Sequence, residues 1–236
     1  MVDGPDIPDE RKKEIALAVT KAALGSVPVL GGAAAELLDL VMRPAVESRR
    51  TDWLNDLSDT LAELQTRVEG IETGSLLENQ EFVSTLFQAS AVALREHRRE
   101  KLDALKNAVL NTAVTTNGDE DEHALFLSWV DDLTPWHLRL LKFFDDKEGI
   151  AGERGKLPFP GWAAGGVSTV LEHVYPELVG RRSMYDLIAT DLHGRGLIKI
   201  DSLHITGTRE GYMLARQTSD MGQRFMAFIS EPPQLN

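Results

Sequence analysis

Cysteine is absent from all 236 residues, which excludes disulfides, thiol catalysis and thiolate metal sites and suits a reducing compartment. Positive charge is scarce: 25 Lys and Arg stand against 37 Asp and Glu, for a formal net charge of −12. Most of the deficit lies at the front. Residues 1–122 carry 13 basic and 23 acidic side chains, a net of −10, and residues 123–236 carry 12 and 14, a net of −2. A phosphate backbone would be repelled by the front half, so any nucleic-acid contact has to come from the rear. Long apolar runs are missing as well. The uncharged stretch Ala22 to Ala35 has 14 residues and is interrupted by Pro28 and three glycines, too short and too broken to span a bilayer. Met1 to Pro8 is polar and acidic and shows no signal-peptide pattern. A cytoplasmic protein is expected, with membrane contact disfavoured.

What remains is ordinary globular material, 42% hydrophobic and 26% charged, long enough for one large domain or two small ones. Helical patterns dominate. Pro8 and Asp9 open a helix through Ile15, Ala18, Val19 and Ala22, and a second apolar helix follows Gly31-Gly32 and ends near Pro44. Together they read as a hairpin. Leu54, Leu57, Leu61, Leu64, Val68 and Ile71 then recur at spacings of 3 and 4. That seam is the edge of a helical bundle or, through a protein partner or a second copy, an interaction surface. One long helix, or two end to end, is expected over Glu78–Val114. Its mixed-sign run Arg95–Lys101 reads as a solvated face. The polar, turn-rich segment around Gly118 divides a helical bundle (1–118) from a second domain (119–236).

In the rear part, Leu125, Phe126, Trp129 and Val130 mark a short amphipathic helix. Thr134 with Pro135 is a helix start signal. Residues 147–166, with six glycines and two prolines, read as a long loop. Helices follow over Val167–Leu178 and Ser183–His193, with Gly194 and Gly196 as helix-ending glycines. Strands are expected at Leu197–Ile200, Leu203–Thr206 and Tyr212–Gln217 around a tip at Gly207–Gly211, and a final helix is capped by Thr218.

This order of helices, glycine-marked end, β-hairpin and closing helix resembles a winged helix-turn-helix domain of the MarR type, over about the last 100 residues. The front half, with Arg49-Arg50-Thr51-Asp52-Trp53-Leu54 and Asn107-Ala108-Val109-Leu110-Asn111, together with Leu133-Thr134-Pro135-Trp136, is similar to bacterial helical proteins of the abortive-infection alpha type. That resemblance implies a role in phage defence or stress response. The first resemblance implies that the third helix enters DNA. Met184, Leu187, Ile188 and Leu192 are expected to face inward, with Tyr185, Asp186, Ala189, Thr190 and His193 outward. Arg181, Arg182, Tyr185, Thr190, Arg195 and Arg209 would be the DNA contacts. Four arginines are few where specific binders neutralise about 6–10 phosphates.

Catalytic motifs are not apparent. The six histidines form no His-Glu-x-x-His pattern and share no i,i+3 or i,i+4 spacing, and Gly-x-Ser-x-Gly and Gly-Lys-Ser/Thr sequences are missing. Asp131-Asp132 and Asp145-Asp146 are adjacent pairs that do not share a helix face. No metal or cofactor is expected, and no enzyme. The expectation is a mainly α protein: an N-terminal helical bundle with a hairpin, followed by a C-terminal winged-helix (α+β) domain with a small β-hairpin. Its function is read as non-catalytic and regulatory, through protein contact. A DNA-binding transcriptional regulator is the alternative and a membrane-acting effector the third reading.

Overall fold

The computed structural model describes residues 32–68, 73–115 and 118–233. The chain divides into two compact units, Met1–Asp56 and Leu57–Asn236. The turn near Gly118, expected as a boundary, lies inside the second unit. The protein is mainly helical with one small two-stranded antiparallel sheet. Among the described residues, no helix is long and apolar enough to cross a membrane.

Helix α1 (Gly32–Arg67) runs from the first unit into the second. It passes through Pro44, where a helix end was expected. A proline inside a helix forfeits one i→i−4 bond and costs about 3 kcal/mol, which a helix of 36 residues can absorb. The first helix of the expected hairpin lies outside the described residues, so the hairpin itself does too.

In the second unit, α2 (Thr73–Glu78) leads to α3 (Gln80–Ala93) and α4 (Arg99–Val114). Asn79 caps α3, its side chain accepting the Phe82 N–H at 3.0 Å. The expected solvated run Arg95–Lys101 proves to be the turn between α3 and α4 and the start of α4. Glu96 is buried there, 6% exposed, and accepts the backbone N–H groups of His97 and Arg98 at 2.8 and 2.9 Å. A carboxylate so placed satisfies donors that the start of a helix leaves open. Mixed signs in sequence are therefore no proof of a solvated face.

Helix α5 (Glu120–Asp132) is capped by Asp119, which accepts from the N–H groups of Asp121 and Glu122. Helix α6 (Pro135–Asp145) starts at Thr134 as its sequence signal demands. The expected loop after it contains α7 (Lys147–Glu153). Asp146 accepts the Gly149 N–H at 2.8 Å, so side-chain capping offsets the low helix propensity of the glycines.

The last helix, α10 (Asp220–Ile229), packs on α4, α5 and α6, while α3 packs on α4 and α5. Phe126 and Trp129 of α5 meet Phe225 and Phe228 of α10, with ring centroids 5.4–5.6 Å apart. Helices from the front and the end of the chain thus share one core. Asn107 and Asn111 of α4 tie down the end of α10. The Asn107 amide donates to Ile229 O at 3.1 Å, and that of Asn111 to Phe228 O and Ser230 O at 2.9 and 2.8 Å. These are carbonyls that a helix C-terminus leaves without partners. Asn111→Ala is expected to lower stability by about 1–3 kcal/mol; an unchanged urea midpoint would contradict this role.

Helix α10 is capped by Ser219, whose hydroxyl accepts the Gly222 N–H at 2.9 Å, not by Thr218 as expected. Thr218 forms a β-bridge with Ile198, and its fully buried side chain has no hydrogen-bond partner. Bridging turns that side chain into the core and leaves the cap to the next residue.

Candidate functional site

The helices expected to make up the winged helix are α6, α8 (Val167–Val174) followed by the 3-10 turn Pro176–Leu178, and α9 (Arg182–Gly194). Gly196, at φ +74°, ends α9. The N–H of Leu197 reaches back to Leu192 O at 2.9 Å and that of Gly196 to His193 O at 2.8 Å, a left-handed helix end that favours glycine.

The expected β-hairpin does not form. The sheet pairs β1 (Ala164–Gly165), which precedes α8, with β2 (Gly207–Thr208). Leu203–Thr206 is not a strand, and residues 209–213 form a π turn. Backbone groups of residues 197–203 find partners elsewhere: Lys199 N donates to Gln217 O, Ser219 N to Leu197 O and Ser168 N to Leu203 O. Those bonds remove the need for a local ladder.

Helix α9 is rotated about its axis from the expected setting. Tyr185, Ile188, Ala189 and Leu192 are buried, while Leu187 is 70% exposed. The buried set is a complete i, i+3, i+4, i+7 stripe, legible in the sequence once Tyr185 is allowed inside. Its hydroxyl donates to Glu172 at 2.8 Å, which satisfies the one polar atom of the ring. Burial, then the Glu172 carboxylate, push this phenol well above its ordinary pKa. Tyr185, only 2% exposed, is withdrawn from any base contact.

The other expected DNA contacts are dispersed. Arg181 and Thr190 are exposed. Arg182 pairs with Asp186 at 3.3 Å. Arg195 pairs with Asp191 at 3.2 Å and Asp132 at 3.5 Å. The side chain of Arg209 lies outside the described residues. Along the expected seam, Leu61, Leu64 and Val68 pack on Leu110, Ala113 and Val114 of the same chain. Leu57 is buried, Leu54 is 44% exposed, and Ile71 lies outside the described residues. Among the described residues, no group of three or more His, Asp or Glu could hold a metal ion.

Each carboxylate of α9 engages a histidine, and each histidine meets a hydroxyl. At one end, His137 Nε2 lies 3.3 Å from Asp191 Oδ2 and its Nδ1 lies 2.8 Å from Thr134 Oγ1. This array is a helix cap, because the Thr134 N–H also donates to Nδ1, at 3.2 Å. Burial lowers the pKa of His137; Asp191 opposes that shift and Arg195 adds to it.

At the other end, His204 Nε2 lies 2.7 Å from Asp186 Oδ1 and its Nδ1 lies 3.1 Å from Ser168 Oγ. The serine belongs to α8, the aspartate to α9 and the histidine to the segment between α9 and β2. Sequence spacing could not disclose this set, since its members stand 18 and 36 residues apart. No family model, no curated protein and no solved structure matches this chain.

Proposed function

We propose that this chain is a regulatory interaction protein whose C-terminal helices act as a winged-helix module that contacts protein rather than DNA. The observation that carries this reading is the outward face of α9. Leu187 stands exposed at its centre, while Arg182 and Arg195, the cations a phosphate would need, are bonded to carboxylates of the same helix. Exposed apolar side chains beside neutralised cations suit a protein surface better than a polyanion. The winged-helix reading is supported by the order α6, α7, β1, α8, α9, β2, in which a strand before α8 pairs with one after α9. A place in phage defence or stress response is compatible with such a module.

The direct test is a titration of a fluorescent random duplex at low salt. No binding at micromolar protein is expected; binding that weakens steeply with salt would make the DNA-regulator reading correct. On the protein side, light scattering and cross-linking should reveal a self-associated species or a bound partner, and Leu187→Glu should abolish it without lowering stability. A strict monomer with no cross-linked partner would sink the interaction reading.

A further inference from the structure

We propose that Ser168 is a nucleophile, with His204 as its general base and Asp186 as the positioning residue, able to accept an acyl group from a small activated carboxylic ester. The inference stands on this cluster alone and is independent of the protein-docking reading.

The geometry assigns a distinct role to each atom. With the Nε2–H of His204 donating to Asp186 Oδ1 at 2.7 Å, Nδ1 carries the free lone pair, and the Ser168 hydroxyl donates to it at 3.1 Å. That is the proton path a serine nucleophile requires. The contrast with His137 is decisive. Both histidines join a hydroxyl to a carboxylate, but the Nδ1 lone pair of His137 also holds a backbone N–H; for His204, the backbone N–H within reach goes elsewhere, from Ser168 N to Leu203 O at 3.0 Å. One array caps a helix, and the other leaves its base available to a hydroxyl.

The fold builds this arrangement deliberately close. Ser168 lies in the first turn of α8, directly after β1 and Gly166. A Cβ at position 166 would sit 2.7 Å from Leu203 O and 3.2 Å from the Cα of His204, so only glycine lets the histidine-bearing segment approach the serine turn. Asp186 is held from the other side by Arg182 Nε at 3.3 Å. The cluster is reachable: the side chains of His204 and Asp186 are 26% and 35% exposed.

In the reaction, Ser168 Oγ bonds to the ester carbonyl carbon as its proton passes to His204 Nδ1. The tetrahedral adduct then expels the alcohol, which takes that proton, and water later releases the acid from the acyl-serine by the same route in reverse. The N–H groups of Ser168 and Thr169 are already committed to Leu203 O and Gly166 O, so neither can serve an oxyanion. Turnover is therefore slow, since a missing oxyanion donor costs about 10²–10³-fold in kcat, and covalent capture is the sharper readout.

The test treats the full chain with a fluorophosphonate, in which the Ser168 Oγ–P bond forms, the P–F bond breaks and fluoride leaves. Peptide mapping should place one adduct on Ser168. Ser168→Ala should remove it, His204→Gln should slow labelling at least about 100-fold, and labelling should vanish in denaturing urea, because three separate segments supply the cluster. Asp186→Asn should slow labelling and move its pH profile to the acid side, which a merely structural aspartate would not do. p-Nitrophenyl acetate should give the corresponding acetyl-Ser168. No adduct on Ser168, labelling unchanged in His204→Gln, or labelling that persists in urea each overturns the proposal.

Discussion

Replacing Glu96 with alanine is expected to cost about 3–5 kcal/mol, the range for removing one partner of a buried ion pair. Glu96 is the hub of the α3–α4 turn. Besides the two backbone N–H groups, it accepts from Arg98 Nε at 2.9 Å and from the terminal nitrogen of Arg98 at 2.7 Å. Lys101 Nζ lies 3.4 Å away on the same carboxylate and donates to Asp131 O at 2.6 Å. Without Glu96 the buried lysine keeps one neutral acceptor, and the N–H groups of His97 and Arg98, in the turn before α4, lose theirs. Because Lys101 reaches α5, the loss spreads beyond the turn. The pH dependence has a definite sign. The Arg98 side chain, helped by the backbone N–H groups and opposed by burial, holds the Glu96 carboxyl far below the ordinary carboxylate range. Its stabilisation is therefore complete above the unfolded value of 4.5 and fades only as pH falls well below it. Urea midpoints for the native chain and Glu96→Ala should differ widely at pH 7 and converge in strong acid. A constant difference across that range would show that the charge is not what matters.

The second large effect is expected at Lys147, and it runs toward alkali. Lys147 is 2% exposed; its Nζ donates to Ala215 O at 2.5 Å and lies 5.6 Å from the Phe143 ring centroid. Burial lowers its pKa from 10.5 to about 8, with Asp145 opposing the shift. Since the folded value lies below the unfolded one, the unfolded chain binds more protons between them. Stability should rise over that window, by about 3 kcal/mol at most. Lys147→Met removes the titrating group. Near pH 7 its loss of the Ala215 bond is offset by relief of a buried charge, so the variant should resemble the native chain there and fall behind it by pH 10. Tyr175, pushed up to about 12 by burial, acts in the opposite sense above its unfolded value of 10. The decisive comparison is therefore urea unfolding from pH 8 to 10, where equal slopes for the two proteins would rule out this assignment.

Local rules in the sequence were read well where neighbours decide the outcome. Thr134-Pro135 starts α6 and Gly196 ends α9, because each signal acts between residues a few positions apart. Reading failed where a distant partner changed the balance. The run Arg95–Lys101 looks solvated until Arg98 and Lys101 enclose Glu96. Tyr185 looks outward until Glu172 supplies an acceptor that lets it turn in. Residues 197–206 have strand composition, but their backbone bonds go to Gln217, Ser168 and Ser219 instead of to one another. Pro44 predicted a helix end that a long helix does not obey.

By itself, the sequence determined that the protein is mainly helical, where α6 begins and α9 ends, and that the absence of cysteine excludes thiol chemistry. Those outcomes follow from short-range hydrogen bonding, side-chain periodicity and residue inventory. The tertiary structure alone decided which face of α9 meets solvent, that Arg195 pairs with Asp132 of α5, and that α10 closes a core begun by α3 and α4. It alone brought Ser168, Asp186 and His204 within hydrogen-bonding distance. A hydrogen bond acts over about 3 Å, and only chain folding sets which residues far apart in sequence come within it.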